Sequence, residues 1–449
     1  MRAMKDSGIP WIGEMPDNWS LRRMKKCIES RVSGAWGEEA KGNEGDIVCL
    51  RIADFDYNRF VFQDAKIEDL TIRNYDKDTI QRLLLQKGDI LIEKSGGGEK
   101  TPVGRTVIFD KDYHALYANF MDRLRCNNAV TSKWMQYVFV TFYKNDYTRN
   151  YIKQTTGIQN LDLTSMLSSE SVPVPNIEEQ GKITRFLDSE CARIDAVMEQ
   201  TRASIEEYKK LKQSIITEAV TKGIRSNRPM EDSGIDWIGQ IPAEWVVRPL
   251  KAYIDILPGY AFSSEDFNSE SGVCLLRGIN VSPNQIRWNE TVFWDKPITK
   301  QLEQFMLCEK DLVIGLDRPW ISEGTRVAFI TKEDLPCLLL QRVCRIRTTK
   351  EMDIRFVYHA LAGKAFEDAL STDTTGVSVP HISTKQIQQF IMAVPSLKEQ
   401  QEICDYLEMK GKGIDALIAQ KEQLLFELES YKKSLIYEYV TGKKEVAAR

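Results

Sequence analysis

The sequence predicts an α+β fold: two mixed α/β domains joined by two long antiparallel coiled-coil helices, arranged as an internal pseudo-twofold repeat. Two repeated blocks lead to this prediction. Residues 4–13 read MKDSGIPWIG and return at 230–239 as MEDSGIDWIG, an offset of 230 − 4 = 226. The block that starts at Pro175 returns at Pro395, an offset of 395 − 175 = 220. A long repeat in only two copies indicates paired halves, because a solenoid needs at least three.

Each half contains a region of short apolar runs separated by turn residues, which is typical of strands. The first region covers 20–172 and the second covers 246–393. Predicted strands lie at 47–52, 89–92 and 103–109 in the first region, and at 274–279 and 311–314 in the second. The two regions barely align, although the blocks on either side of them match closely. We therefore expect one shared scaffold that carries two different binding domains.

Two long helices are predicted. Residues 182–222 contain neither glycine nor proline, and Gly223 follows as a C-cap. Apolar and neutral residues recur at heptad-like steps from Leu187 to Ala219, and the same stripe returns in the second copy. Such a narrow stripe is typical of a coiled-coil seam, so we expect each helix to pack antiparallel against its duplicate. At about 1.5 Å per residue, a helix over 178–221 would be roughly 66 Å long.

Composition limits the class of protein. The chain has 449 residues, of which 42% are apolar and 28% charged, so it is long enough for two to four domains. No apolar run approaches the ~20 residues that span a bilayer, and no secretory h-region follows Met1. Nine cysteines without a CxxC pair predict free thiols and a cytoplasmic location, with Cys191 as a small apolar packing residue. Three scattered histidines argue against a zinc site.

The order of the repeated parts resembles the specificity subunit of type I restriction-modification enzymes. The resemblance covers essentially the full length and depends on DSGIxWIGxxPxxW, a variable region, PxxxEQ and a long helix, each present twice. Pieces at 88–92 and 156–161 also resemble the family's recognition domains. The second copy departs from both, because Lys310 replaces the glycine and the segment at 375–382 differs in length.

The resemblance implies two target-recognition domains that each read one half of a split DNA site. The corresponding division is 1–177 for the first recognition domain, 178–225 for the first spacer helix, 226–395 for the second domain and 396–449 for the second helix. The implied partners are double-stranded DNA, two methyltransferase subunits and restriction subunits, with no membrane. The resemblance implies no cofactor in this chain: S-adenosylmethionine, ATP and Mg belong to the partner subunits.

The sequence motifs of a DNA methyltransferase, a nucleotide-binding loop and a nuclease are absent or incomplete in this sequence. Neither an FxGxG cofactor loop nor an Asn/Asp-Pro-Pro-aromatic strip is found, so an adenine methyltransferase lacks its required parts. The stretch 96–101 approaches a P-loop, but Glu99 replaces a required glycine, which favours a loop between strands. Asp89 and Glu93 have a nuclease-like spacing that surface charges also produce. A self-sufficient methyltransferase or nuclease and a coiled-coil protein adaptor remain the alternatives.

Candidate DNA contacts follow from residue chemistry, since arginine reads guanine, asparagine or glutamine reads adenine, and lysine binds phosphate. The candidates in the first copy are Arg51, Lys94, Arg105, Arg123, Arg125, Gln159 and Asn160, and those in the second are Arg277, Arg318, Arg326, Arg345, Arg347 and His381. Each could instead form a surface salt bridge. The repeated Trp11, Trp19, Trp237 and Trp245 are either core anchors or contacts with the methyltransferase.

Because the two recognition domains differ in sequence, we expect an asymmetric DNA site whose half-site centres lie about one helical turn, ~10 base pairs, apart. The net charge of −4 is unusual for a DNA-binding chain and predicts that tight binding needs a partner.

Overall fold

The computed structural model describes residues 2–56, 58–63, 65–155, 157–322, 324–371 and 381–447. The chain forms two compact units: the first unit is Met1–Arg202 with Glu422–Arg449, and the second unit is Ala203–Lys421. Thr156, and 375–380 of the second-copy segment, lie outside the described residues. No helix within the described ranges is long and apolar enough to cross a lipid bilayer.

Among the described residues, the first unit contains three sheets of three or four strands. A four-stranded antiparallel sheet has the order Thr106–Ile108, Ile90–Glu93, Met121–Cys126 and Ile28–Ser33. A second sheet has the order Ala115–Tyr117, Asp46–Leu50, Ile72–Asn74 and Glu38–Glu39, with its first two strands parallel. A three-stranded sheet has the order Ser95–Gly96, Ile158–Leu161 and Ile152–Thr155. The three predicted strands of this region are confirmed, although the third starts only at Thr106 because Gly104 has a φ of 114°.

Two-stranded pairs and helices complete the first unit. The pairs are Met4–Asp6 with Glu14–Pro16, Ser20–Arg23 with Ser171–Val174, and Phe55–Asp56 with Val61–Phe62. The helices are Lys77–Leu83, Ser132–Lys144 and Leu163–Ser169, together with the first part of Ile177–Lys222 and the last part of Leu397–Val440.

The central sheet of the first unit separates two hydrophobic clusters. In the strand Ile90–Glu93, Ile90 and Ile92 belong to a helix-side cluster, which also includes Trp134 and Leu187. Leu91 points the other way, into an outer cluster. This alternation follows from the two-residue period of a strand, which sends successive side chains to opposite faces. The outer cluster is made of Val48, Cys49, Leu50, Phe55, Phe62, Tyr75, Leu83, Leu85, Leu91, Val107, Phe109, Ala115, Leu116, Tyr117, Ala118 and Met121.

The second unit has the same plan with shorter strands. Its four-stranded sheet has the order Ile254–Pro258, Val343–Thr348, Leu312–Gly315 and Val327–Phe329. Its three-stranded sheet has the order Phe293–Trp294, Val273–Leu276 and Cys337–Leu339. Leu312 and Ile314 face a helix-side cluster, whereas Val313 faces an outer cluster. The predicted strands at 274–279 and 311–314 are confirmed, and the former ends at Leu276 because a 3-10 turn at 278–280 follows.

Smaller elements surround these sheets. The two-stranded pairs are Met230–Asp232 with Gln240–Pro242, Val246–Pro249 with Ile391–Val394, Val281–Ser282 with Gln285–Ile286, and Trp320–Ile321 with Gly324–Thr325. The helices are Lys300–Glu303, Ile354–Ala362, Lys364–Ser371 and Thr384–Gln389, together with the remaining parts of the two long helices.

The two long helices, Ile177–Lys222 and Leu397–Val440, confirm the predicted rods. The first ends where predicted: Gly223 has a φ of 74°, and its N–H donates to the Ala219 carbonyl at 3.1 Å. In the first unit the helices run antiparallel, because Phe186 packs on Tyr439 and, further along, Asp195 pairs with Lys432.

The same orientation holds in the second unit, where Lys421 lies over the Tyr208 ring and Lys212 pairs with Asp415. The predicted stripe is largely buried, including Leu187, Cys191, Ile194, Met198, Leu407 and Ile414. The packing role predicted for Cys191 is therefore confirmed, and all nine cysteines are free thiols.

The repeated sequence blocks form equivalent hydrogen bonds between a long helix and its mixed domain in the two units. Gln180 is fully buried: its carbonyl oxygen accepts the Thr131 N–H at 2.8 Å, and its amide donates to the Ala129 and Pro175 carbonyls. Gln400 accepts the N–H of Asp353 at 2.8 Å and donates to the carbonyls of Glu351 and Pro395. Both glutamines thus tie the start of a long helix to the loop before a shorter helix.

Two of the repeated tryptophans, Trp19 and Trp245, take part in a second set of equivalent contacts. The Arg2 guanidinium lies over Trp19, 4.8 Å from the ring centroid, and pairs with Glu179 at 2.7 Å. In the second unit Arg228 lies 5.2 Å from the Trp245 ring centroid and pairs with Glu399 at the equivalent position. Each N-terminal hairpin is thereby held to the first turn of a long helix.

Candidate nucleic-acid interface

In the first unit, the pairing of two short strands places predicted contact residues together. Strand Ser95–Gly96 pairs with Ile158–Leu161, and the Leu161 N–H donates to the Lys94 carbonyl at 2.7 Å. Across this pair the Ser95 hydroxyl donates to the Asn160 side-chain oxygen at 2.7 Å, and Asn160 is exposed. The Asn160 amide N–H₂ group therefore carries donors at the surface, as adenine readout needs.

Two other candidates lie beside this pair but are held by the protein. Gln159 is buried, and its side-chain oxygen accepts the Val103 N–H at 3.3 Å. The Lys94 ammonium pairs with Asp122 at 2.8 Å and donates to the Ser33 hydroxyl. Although burial raises the pKa of Asp122, hydrogen bonds from Lys94, Ser33 and Arg31 outweigh it and lower that pKa.

The second unit repeats this backbone arrangement with other side chains. The Ile382 N–H donates to the Leu316 carbonyl at 2.9 Å, as Leu161 does to Lys94 in the first unit. Next to it, Asp317 pairs with His381, whose Nδ1 lies 2.7 Å from the carboxylate. The position of Ser95 and Asn160 is thus occupied by Asp317 and His381, with offsets of 317 − 95 = 222 and 381 − 160 = 221.

Two arginines lie near the Asp317–His381 pair. Arg342 donates to the same Asp317 carboxylate at 3.2 Å. Arg318 is exposed, and both arginines have positive φ, 45° for Arg318 and 71° for Arg342, which is uncommon for residues with a side chain. Sequence reasoning missed Arg342; the available signal was its position in a turn directly before the strand that carries Arg345 and Arg347.

The arginines of the central strands are paired with carboxylates. Arg125 binds Asp89 through two bonds of 2.8 Å, and Arg347 binds Asp311 at 2.5 and 2.8 Å. In both cases the hydrogen bonds that the arginine donates to the carboxylate raise the pKa of the arginine. Arg347 nevertheless keeps 43% of its side chain exposed, so its outer edge is open to a ligand.

Three candidates are almost fully enclosed. Arg105 is 6% exposed and binds Glu93 through two bonds of 2.7 Å, while burial raises the pKa of Glu93. Arg123 donates to the carbonyls of Arg82 and Leu84, and is also 6% exposed. In the second unit, Arg345 is 8% exposed and binds Asp255 at 3.1 Å.

The remaining candidates hold turns. Arg51 pairs with Asp54 at 3.2 Å within one 3-10 turn, and Arg277 donates to the Glu290 carbonyl. Arg326 donates to the Val281 carbonyl at 2.8 Å and also to the Gly278 carbonyl. Burial lowers the pKa of Arg326. DNA contact by any of these residues stays a prediction.

The sequence matches the model of the family described as type I restriction modification DNA specificity domain twice, over residues 16–207 and 242–426. The chain belongs to this family. The MjaVIII specificity subunit of a type I restriction enzyme from Methanocaldococcus jannaschii is 27% identical, and the match covers 82% of each chain. The putative MjaX specificity subunit from the same organism is 25% identical, over 97% of this chain and 96% of that one.

A similar fold is found among solved structures. A chain from a structure described as the structural basis of complex assembly and conformational transition of the type I R-M system has a TM-score of 0.70 with 14% identity. The similarity covers 96% of this chain and 99% of that chain. The two family matches include both mixed domains; the first match ends within the long helix Ile177–Lys222, and the second ends within the long helix Leu397–Val440.

Within this family fold, the repeated tryptophans contribute to the core. Trp11, Trp19 and Trp245 are 6%, 1% and 3% exposed, and Trp237 is half-buried and stacks on Phe390 at 5.0 Å. Burial favours the core alternative that the sequence left open. A contact of these rings with a methyltransferase stays a prediction.

Proposed function

We propose that the chain is the DNA sequence-specificity subunit of a type I restriction-modification enzyme and that it reads a bipartite, asymmetric site. The observation that carries this proposal is the pairing of Ser95 with Asn160 in one unit and of Asp317 with His381 in the other. The same backbone arrangement presents different hydrogen-bonding groups, as two readers of two different half-sites require.

Exposure orders the predicted DNA contacts. Asn160, Arg318 and His381 are the surface residues that we propose for base or phosphate contacts, with Arg342 added to them. Arg51, Lys94 and Arg347 contribute through the parts of their side chains that remain exposed. The enclosed arginines would act by holding the strands that carry these residues, because their guanidinium groups already have partners.

The chain itself would be non-catalytic and cytoplasmic. In this proposal two methyltransferase subunits bind S-adenosylmethionine and methylate adenine, while restriction subunits use ATP and Mg and cleave DNA. The net charge of −4 fits a subunit that binds DNA tightly only in such an assembly, since phosphate contacts dominate affinity.

Two equivalent docking surfaces support two methyltransferase subunits. In the first unit Val197 and Tyr431, on the two long helices, are 39% and 48% exposed. In the second unit Leu417 and Leu211 are 41% and 47% exposed. Leu417 is the counterpart of Val197, and Tyr431 of Leu211, each at an offset of 220. Apolar side chains exposed at matching positions of both copies fit one kind of partner bound twice.

Co-expression with the methyltransferase encoded beside this chain, where one is encoded there, followed by genome-wide mapping of methylated adenine, tests the proposal. A single split, asymmetric motif with a fixed gap is the expected result. A stable complex that methylates no specific motif would leave only a scaffold role. Absence of a complex would favour the coiled-coil adaptor, and S-adenosylmethionine binding by the isolated chain would favour a self-sufficient methyltransferase.

A further inference from the structure

In the first unit, one hairpin connects the outer cluster to the helix-side cluster. Its strands, Phe55–Asp56 and Val61–Phe62, place Phe55 and Phe62 in the outer cluster, with ring centroids 5.4 Å apart. Phe60, in the turn of the same hairpin, belongs to the helix-side cluster and lies 6.1 Å from Tyr143. The Gln136 amide donates to the Phe60 carbonyl at 2.7 Å.

The tip of this 55–62 hairpin is also bound by the long helices. The Lys432 ammonium, on a residue only 8% exposed, donates to the Asn58 carbonyl at 3.2 Å and to Asp195 at 2.6 and 2.8 Å. All three ammonium protons therefore have acceptors, as a buried lysine requires. Next to it, Arg59 pairs with Glu199 of the first long helix at 2.7 Å.

The second copy has an equivalent ion pair between its long helices, but its lysine makes no hydrogen bond to the described residues of the hairpin. Lys212 and Asp415 are the counterparts of Lys432 and Asp195, with offsets of 432 − 212 = 220 and 415 − 195 = 220, and they pair at 2.7 Å. The Lys212 side chain is 32% exposed, compared with 10% for Lys432. The ammonium of Lys212 is therefore open to solvent, whereas that of Lys432 is covered.

The hairpin of the second copy explains the difference. Its strands, Val281–Ser282 and Gln285–Ile286, are separated by two positions, whereas the strands of the first hairpin, Phe55–Asp56 and Val61–Phe62, are separated by four. Val281 and Ile286 both pack in the outer cluster. At its tip, Asn284 accepts a hydrogen bond from the Tyr358 hydroxyl at 3.2 Å.

We propose that Lys432 and the 55–62 hairpin are a positioning device that fixes the outer part of the first mixed domain on its helix pair and thereby restricts the gap between half-sites. This inference rests on the proposed DNA-reading function. The mixed domain is bound to the long helices at two points, the Gln180 loop and the hairpin tip, so it cannot rotate about either point alone. When the contact at the tip is lost, the domain can rotate about the Gln180 loop. Lys432 touches neither half-site in this proposal and acts through the hairpin.

The test uses the chain assembled with its methyltransferase and plasmids in which both half-sites are separated by the wild-type gap or by one or two base pairs more or fewer. Lys432→Met removes the ammonium and keeps a long apolar side chain. We expect methylation at the altered gaps, relative to the wild-type gap, to rise about three- to tenfold, which lies in the lower part of the range of couplings within one hydrogen-bonded network. Lys212→Met is the matched control and should change this ratio less than about twofold, since its ion pair is more exposed.

Hydrogen exchange of the hairpin amides at 58–63 supplies a second readout, and it should accelerate in Lys432→Met. If that variant does not accumulate, Arg59→Ala removes the neighbouring pair at an exposed position and should shift the gap ratio in the same direction. A wild-type gap profile in a folded variant overturns the proposal, as does equal widening by Lys212→Met. If the wild-type assembly itself shows no split motif with a fixed gap, the proposed function fails instead.

Discussion

Replacing Gln180 by leucine should destabilise the first unit by about 2–3.5 kcal/mol. The side chain is fully buried and makes three hydrogen bonds to backbone groups of Thr131, Ala129 and Pro175. Each lost bond costs about 1–1.5 kcal/mol when its partner stays unsatisfied, which gives about 3–4.5 kcal/mol, and burial of the leucine side chain offsets roughly 1 kcal/mol. Because Gln400 makes the same three kinds of bond, Gln400→Leu should destabilise the second unit by a similar amount.

Urea unfolding of the purified chain, followed by circular dichroism and tryptophan fluorescence, measures this loss. Gln200→Leu is the control, because Gln200 is an exposed residue of the same helix, and it should change the free energy of unfolding by less than about 0.5 kcal/mol. Hydrogen exchange assigns the loss to a unit: amides around Thr131 should lose protection in Gln180→Leu, and those around Asp353 in Gln400→Leu. A loss in Gln180→Leu no larger than that of the control would refute the fastening role.

Other consequences can be measured on the same chain. Asn160→Ala should relax base preference in one half-site and His381→Ala in the other, each by about 1–3 kcal/mol of discrimination, as read from methylation of single-base variants. Tyr431→Ser and Leu211→Ser should each remove one methyltransferase from the assembly, and the mass of the complex measures this stoichiometry. Burial lowers the pKa of His359 from 6.5 to about 4. Because the folded pKa lies below the unfolded one, the second unit should lose up to about 3 kcal/mol as pH falls from about 6.5 to about 4, and His359→Phe should abolish that pH-dependent part of the unfolding free energy.

The fold could be predicted from local patterns but not from pairing partners. The heptad stripe predicted the helix Ile177–Lys222, and the apolar runs predicted the central strands. However, the partners of strand Met121–Cys126, which are Ile28–Ser33 and Ile90–Glu93, lie far away along the chain. Periodicity shows that a segment is a strand and which residues share a face, but it carries no information on which distant strand lies beside it.

The candidate site shows the same limit. Residue type and turn position were sufficient to select Asn160 and His381, whose surroundings leave them at the surface. They were insufficient for Arg105 and Arg125, because the carboxylates that bind them, Glu93 and Asp89, lie on a neighbouring strand or turn. In the sequence, the spacing of Glu93 and Asp89 resembles that of a pair of nuclease carboxylates. The structure shows each of them bound to an arginine.

Contacts that are equivalent in the two copies indicate the shared scaffold. Contacts that differ between the copies indicate residues proposed to recognise DNA. The bonds of Gln180 and Gln400 are the same, and so are the reciprocal ion pairs of the long helices. The glutamines join a mixed domain to the start of its long helix, and the ion pairs join the two long helices to each other. Asn160 and His381 differ, although the residue after each donates its N–H to an equivalent carbonyl, that of Lys94 or Leu316. Different side chains at two equivalent, exposed positions are what the proposed recognition of two different DNA sequences requires.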